Sequence, residues 1–259
     1  MSEDRRRLLA ISWEMPPLSG PRAVQVSRLL NHLVPLGWDS SVVAFAPRSN
    51  RYFPDADLAR RLAPAPGVDV TRVESPEERL FFRALWRVCP PLKGLPDEKW
   101  VWMRPAVRAA RALARTKRFD ALVTFAQPWS DHLIGRRLHR ELGLPWIAHF
   151  SDPWVDSPFH FPRWQRRVWR PMERAVVRDA DAVVFVTKET ADRAMAKYPA
   201  AWTGKVHVVP HGFDRCMLPP RAGSLVESRS PSGPLRLVYT GRFYRRWRTL
   251  QGPSTHGSS

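Results

Sequence analysis

Short unbroken apolar runs alternate with stretches of helical period from residue 8 to residue 209, and this alternation sets the fold. Residues 8–12, 41–45, 68–73, 120–125, 145–150, 182–186 and 206–209 read as strands. Between them the periodicity predicts helices over 24–36, 76–88, 105–117, 131–142, 163–179 and 188–198. Gly37 and Gly143 stand at two helix C-termini, and Pro171 is a kink position. Strands that are apolar throughout, rather than alternating, belong in a parallel sheet covered by helices on both faces. Such α/β sheets bind ligands beyond the carboxyl ends of their strands. Here those ends are the loops after Ser12, Phe45, Phe125, Phe150, Val186 and Val209.

The pattern breaks after residue 214. Residues 215–233 have linker composition, with several Pro and Ser and two Gly. Residues 234–244 read as the opening strand of a second domain, and 245–259 as an irregular tail. The first domain thus runs over 5–214.

Composition narrows the function classes. A hydrophobic fraction of 44% with 25% charged residues is that of a globular chain. Two Cys, at 89 and 216, make neither a disulfide framework nor a four-ligand zinc site. No apolar run approaches the ~20 residues of a membrane span. The apolar stretch after Arg7 is too short for a secretory signal, so the sequence reads as cytosolic. The net charge is +18, carried almost wholly by Arg. That charge suits nucleic acid, an anionic membrane, or simply an Arg-rich genome. Zinc-finger spacing, an RNP-type strand and a basic heptad region are all missing, so no nucleic acid is expected as partner.

Six motifs then occur in a telling order. Pro16-Pro17-x-x-Gly20-x-Arg22 follows the first strand, and Gly37-Trp38-Asp39-Ser40-Ser41-Val42 follows the first helix. Phe150-Ser151-Asp152-Pro153-Trp154 follows the fifth strand. Glu173 precedes Ala180-Asp181-Ala182-Val183-Val184-Phe185-Val186-Thr187. Pro210-His211-Gly212-Phe213-Asp214 and Leu237-Val238-Tyr239-Thr240-Gly241-Arg242 close the series. Over residues 8–244 the chain resembles the amino-terminal half of a family 4 glycosyltransferase of GT-B architecture. The resemblance implies a Rossmann-like acceptor-side domain and a second domain that binds the nucleotide-sugar donor through a Glu-x7-Glu motif. It implies retention of anomeric configuration without a metal or other cofactor, the nucleotide-sugar being a substrate of a full-length relative. No Glu follows Glu227 in this sequence. The expectation is a chain truncated early in the second domain and inactive alone, its acceptor a sugar or a lipid-linked glycan.

The resemblance and the strand ends together nominate site residues. Pro17, Gly20 and Arg22 form the first loop: Gly20 allows close backbone approach, and the helix N-terminus suits an anion or sugar hydroxyls. The competing reading is an ordinary strand-to-helix turn. Asp152, at a strand end, can orient or deprotonate an acceptor hydroxyl and is the catalytic candidate. His149 is either a substrate contact or a packed strand histidine. Trp154 either stacks on a sugar or is buried, and Gln127 either bonds a hydroxyl or caps the helix near Ser130. Thr187 and Lys188 end another strand, with Lys188 read as a solvated lysine. His211, Gly212 and Asp214 match the family's hinge motif, with His for its Asn. Gly241 and Arg242 match its donor-phosphate loop.

Asp55-Ala56-Asp57 and Asp179-Ala180-Asp181 lack strand-end context for a metal and read as surface caps, so no metal is assigned. Ser19 and Ser151 lack a His/Asp relay. Residues 79–87 and 159–177 mix Trp, Phe and Arg, which suits peripheral contact with an anionic membrane on the inner face of the plasma membrane, or equally two core helices with an Arg face. The alternative function is a non-enzymatic membrane- or glycan-binding module.

Overall fold

A computed structural model describes residues 5–47, 56–76, 94–157 and 161–213, with positions 82, 84, 87 and 88 between them. The compact unit is Met1–Phe213. Outside the described residues lie the linker, the strand expected at 235–241, the tail, Asp214, Gly241 and Arg242, and most of the helix expected at 76–88.

Seven strands form one sheet: β1 (Arg6–Ser12), β2 (Trp38–Phe45), β3 (Val68–Val73), β4 (Ala121–Ala126), β5 (Trp146–Phe150), β6 (Ala182–Phe185) and β7 (Val206–Val208). The spatial order is β3-β2-β1-β4-β5-β6-β7, and every pairing is parallel. The fold is therefore α/β and Rossmann-like. Strand order reverses between β1 and β4, which opens a crevice at their carboxyl ends. β1 and β2 start earlier than the apolar runs suggest, because Arg6 and Arg7 continue the ladder opposite Trp38 and Asp39. Polar ends of this kind are half-exposed and carry no apolar signal.

The helices are α1 (Pro21–Leu33), α2 (Ala56–Arg61), α3 (Met103–Thr116), α4 (Ser130–Leu142), α5 (Arg163–Asp179) and α6 (Lys188–Met195). α1 starts three residues before its expected position, with Pro21 in the first turn where a missing N–H costs nothing. α6 stops short of Tyr198, and Thr187 caps its start by accepting the Thr190 N–H at 3.1 Å. Gly143 ends α4 at φ 66°, and Gly37 ends the short 3-10 turn after α1 at φ 84°.

Alternate strand residues supply two cores. Leu9, Ile11, Val43 and Leu122 pack with Ala106 and Ala110 of α3, Ile134 and Leu138 of α4, and Val176 and Val177 of α5. Leu8, Ala10, Val42 and Val123 pack with Val26 and Leu30 of α1. In α5, Trp169, Glu173, Val176 and Val177 are buried at helical spacing, while Phe161 and Trp164 at its start remain exposed.

Candidate active site at the strand ends

The loop after β1 is held from inside. Ser12 Oγ donates to the Glu14 carbonyl at 2.8 Å, turning the chain out of the strand. Trp13 stacks on Phe45, ring centroids 4.0 Å apart, and its backbone N–H donates to Asp131 Oδ2 at 2.8 Å. The Glu14 carboxylate then folds back under Gly20 and accepts the Ala23 N–H in the first turn of α1. Burial pushes this carboxyl up, against the pull of Ala23, Arg22 and Lys99. Gly20 thus does permit a close approach, but by the chain's own carboxylate. The α1 N-terminus has an internal anion where the sequence suggested room for an external one. Pro17 is half-buried in this loop, and Arg72 donates to the neighbouring Pro16 carbonyl.

Arg22 connects this loop to β5. It is buried, and Nη2 donates to Ser151 Oγ. Burial pulls its pKa down to about 10, while Asp152, Glu14 and Asp131 oppose that pull. Ser151 also donates to Asp152 Oδ2 at 3.1 Å, and Asp152 itself is exposed at the mouth. His149 is buried two residues deeper along the strand, with its ring 6.2 Å from that of His211. Burial, then the Arg22 charge, hold His149 at about 3, so it is a neutral imidazole near pH 7. The same two causes lower His211, with Asp152 acting in the opposite direction. Arg22, His149, Asp152 and His211 therefore converge, drawn from three separate parts of the chain.

Other nominated residues do not join them. Trp154 is fully buried and stacked on Trp129 at 4.9 Å, so it belongs to the core and offers no face to a sugar. Gln127 is exposed and, among the described residues, makes no bond to α4. The α4 start is satisfied by Asp97, which accepts the Ser130 N–H at 2.7 Å and Oγ–H at 2.8 Å. Lys188 pairs with Asp192 at 2.6 Å along its own helix. Gly212 is exposed with open space around its Cα. Asp57 pairs with Arg60, and Asp179 binds Arg136, Arg140 and Arg178. Asp181 accepts the Trp146 N–H at 2.8 Å. Among the described residues no group of three or more His, Cys, Asp or Glu is placed to hold a metal ion. No described helix is long and apolar enough to cross a membrane.

The structure adds residues that sequence reading passed over. Asp131 is fully buried, and burial raises its carboxyl well above the usual range, with Asp97 and Glu14 adding to the rise. His132 beside it is also fully buried, Nδ1 lying 2.7 Å from Thr124 Oγ1. Glu14 Oε2, Arg22 Nη1, Asp131 Oδ1, His132 Nε2 and His149 Nδ1 are all buried without a hydrogen-bond partner. Such orphans each cost roughly 1–3 kcal/mol when left dry, and these five gather around the ends of β1, β4 and β5. The only sequence signal for Asp131 was a polar pair, Asp131-His132, at the start of an otherwise amphipathic helix.

Residues 22–212 match the glycosyl transferase 4-like domain family. The chain belongs to that family. No curated protein matches it. Among solved structures it is similar to Arabidopsis thaliana UGT89C1 complexed with UDP-L-rhamnose, at 12% identity and TM-score 0.48, covering 80% of this chain and 49% of that one. The N-terminal domain of Candida albicans trehalose-6-phosphate phosphatase gives 12% identity and TM-score 0.47, with coverage of 80% and 49%. Spinosyn rhamnosyltransferase SpnG complexed with thymidine diphosphate gives 16% identity and TM-score 0.36, with coverage of 70% and 45%. The chain spans about half the length of these structures. Family membership rests on the match over residues 22–212, not on these distant likenesses.

Proposed function

We propose that this domain is the acceptor-side half of a sugar transferase that uses a nucleotide-sugar donor. The observation that carries the reading is the convergence of Arg22, His149, Asp152 and His211 at the strand ends, inside the family match. Asp152, exposed at the mouth, orients an acceptor hydroxyl and takes its proton as the new glycosidic bond forms and the donor's anomeric carbon–phosphate oxygen bond breaks, the nucleotide leaving as its phosphate anion. Neutral His149 offers a hydrogen bond to a second hydroxyl. Arg22 fixes the Ser151–Asp152 segment from behind. The acceptor is a glycan or a lipid-linked sugar, and donor binding requires the family's second domain.

A second reading is a non-catalytic glycan- or membrane-binding module on the inner face of the plasma membrane. The exposed Phe161 and Trp164 beside Arg163, Arg167 and Arg170 favour it.

The test uses the full chain in saturation-transfer NMR against a panel of oligosaccharides, followed by incubation with UDP-, GDP- and dTDP-sugars and mass spectrometry of products. Glycan binding that disappears in Asp152→Asn, a change at an exposed position, supports the acceptor-side reading with or without turnover. Lack of glycan binding and of product together sinks it. Vesicle binding that disappears on Trp164→Ser, without glycan binding, would favour the module.

A further inference from the structure

A second feature lies away from the strand-end cluster, on the outer side of α3 and α4. An apolar cavity of about 520 Å3 is walled by Phe82, Trp100, Met103 and Val107, with Arg104 and Arg137 at its edge. Arg104, Val107 and Arg137 also line a neighbouring cavity of about 320 Å3, whose remaining walls are Arg108 and Arg111. The two spaces are thus adjacent, with three lining residues in common: an apolar compartment beside an arginine-lined one. None of the strand-end site residues lines either.

The charges there are unbalanced. Arg111 bonds Glu141 at 2.8 and 2.6 Å, and Arg137 bonds the same carboxylate at 2.9 Å. The Arg111 hydrogen bond, the largest influence, draws Glu141 down to about 2, so it stays ionised. Arg104 and Arg108 are exposed and have no partner among the described residues. Among the described residues, four guanidiniums therefore stand beside one carboxylate.

We propose that this double cavity binds a lipid phosphate, with one hydrocarbon chain in the apolar compartment and the phosphate on the arginines. Both halves of the chemistry are needed. An apolar space within the ~300–1,000 Å3 of small-molecule sites favours a hydrocarbon. Guanidinium forks, two of them unpaired, favour phosphate oxygens over a lone carboxylate. Neither compartment alone selects an amphiphile; their adjacency across Arg104, Val107 and Arg137 does. The inference does not depend on the sugar-transfer reading, because it concerns different residues and is tested by binding alone.

The experiment is calorimetric titration of the full chain with dodecyl phosphate below its critical micelle concentration, beside dodecyl maltoside and inorganic phosphate. One dodecyl phosphate binds per chain, and each control binds at least about tenfold more weakly, since it lacks either the charge or the hydrocarbon chain. The double variant Arg104→Gln, Arg108→Gln, both at exposed positions, weakens binding by about tenfold or more. Met103→Trp fills the apolar compartment and blocks it; circular dichroism checks that this variant is folded. A diazirine-bearing alkyl phosphate labels the peptide containing Trp100 to Arg108. Equal affinity for the neutral detergent, equal affinity for inorganic phosphate, unchanged binding in the double arginine variant, or labelling confined to other peptides would each overturn the proposal.

Discussion

The Glu14 carboxylate occupies the space that a Cβ on residue 20 would fill, and it closes the N-terminus of α1 through the Ala23 N–H. The two residues are therefore one unit. Gly20→Ala displaces the carboxylate and removes a helix cap, a loss of about 1 kcal/mol. Glu14→Ala removes the same cap by itself. In the Glu14→Ala background the added Gly20→Ala change costs far less, since nothing is left to displace. A double-mutant cycle by urea denaturation of the full chain checks this. Additive losses in the cycle would show that the two residues act separately.

Arg22 is the buried countercharge for Glu14, Asp131 and Asp152. Arg22→Gln keeps a hydrogen-bond donor but removes the charge that pulls against the burial-driven rise of Glu14 and Asp131. The expected loss is about 2 kcal/mol, as for weakening a buried hydrogen bond made by a charged group. Arg22→Lys restores only part of it, because an ammonium cannot reproduce the planar fork that reaches Ser151. Thermal denaturation ranks the three proteins, with wild type above Lys and Lys above Gln.

The sheet was legible because its strands are apolar throughout and its helices end at Gly37 and Gly143. Nothing in those runs needed distant information. The candidate site was legible only where a loop position itself marks a strand end, as for Arg22 and Asp152. Strand alternation placed His149 and Ser151 on one face, and both turn toward the Arg22 side. Trp154 could not be placed from sequence, since its burial depends on stacking against Trp129 of another loop. Asp131 could not be recognised either, because the N–H it accepts belongs to Trp13, 118 residues away. For the helix start near Ser130 the sequence offered Gln127, but Asp97 satisfies it through a contact spanning 33 residues.

Asp179 makes stability acid-sensitive at the far end of α5. Burial raises its carboxyl, but hydrogen bonds from Arg178 and Arg136 outweigh that and hold it at about 2. A carboxyl held below its unfolded value of ~3.8 stabilises the fold above that value and loses the contribution as pH falls toward 2. Asp179→Asn costs about 2 kcal/mol at pH 7, and its stability changes less than that of wild type between pH 4 and pH 2. Urea midpoints at a series of pH values across this window measure the difference. Parallel wild-type and variant curves would contradict the assignment.

His149 gives a second window, at milder pH. Its folded value of about 3 lies below the unfolded value of ~6.5, so the folded protein holds it neutral. Below ~6.5 the unfolded chain takes up a proton that the folded chain refuses, and stability falls with pH until about 3. For this group alone the fall between pH 7 and pH 5 is about 2 kcal/mol. His132 and His211 are lowered as well, so His149→Gln flattens the dependence without abolishing it. The raised carboxyls of Glu14 and Asp131 act in the opposite sense, losing stability as pH rises. Subtracting the variant's stability curve from the wild-type curve isolates the histidine, since the carboxyls are common to both. Wild type minus variant should fall by about 2 kcal/mol as pH drops from 7 to 5, and a difference independent of pH would mean that His149 is not held neutral by its burial beside Arg22.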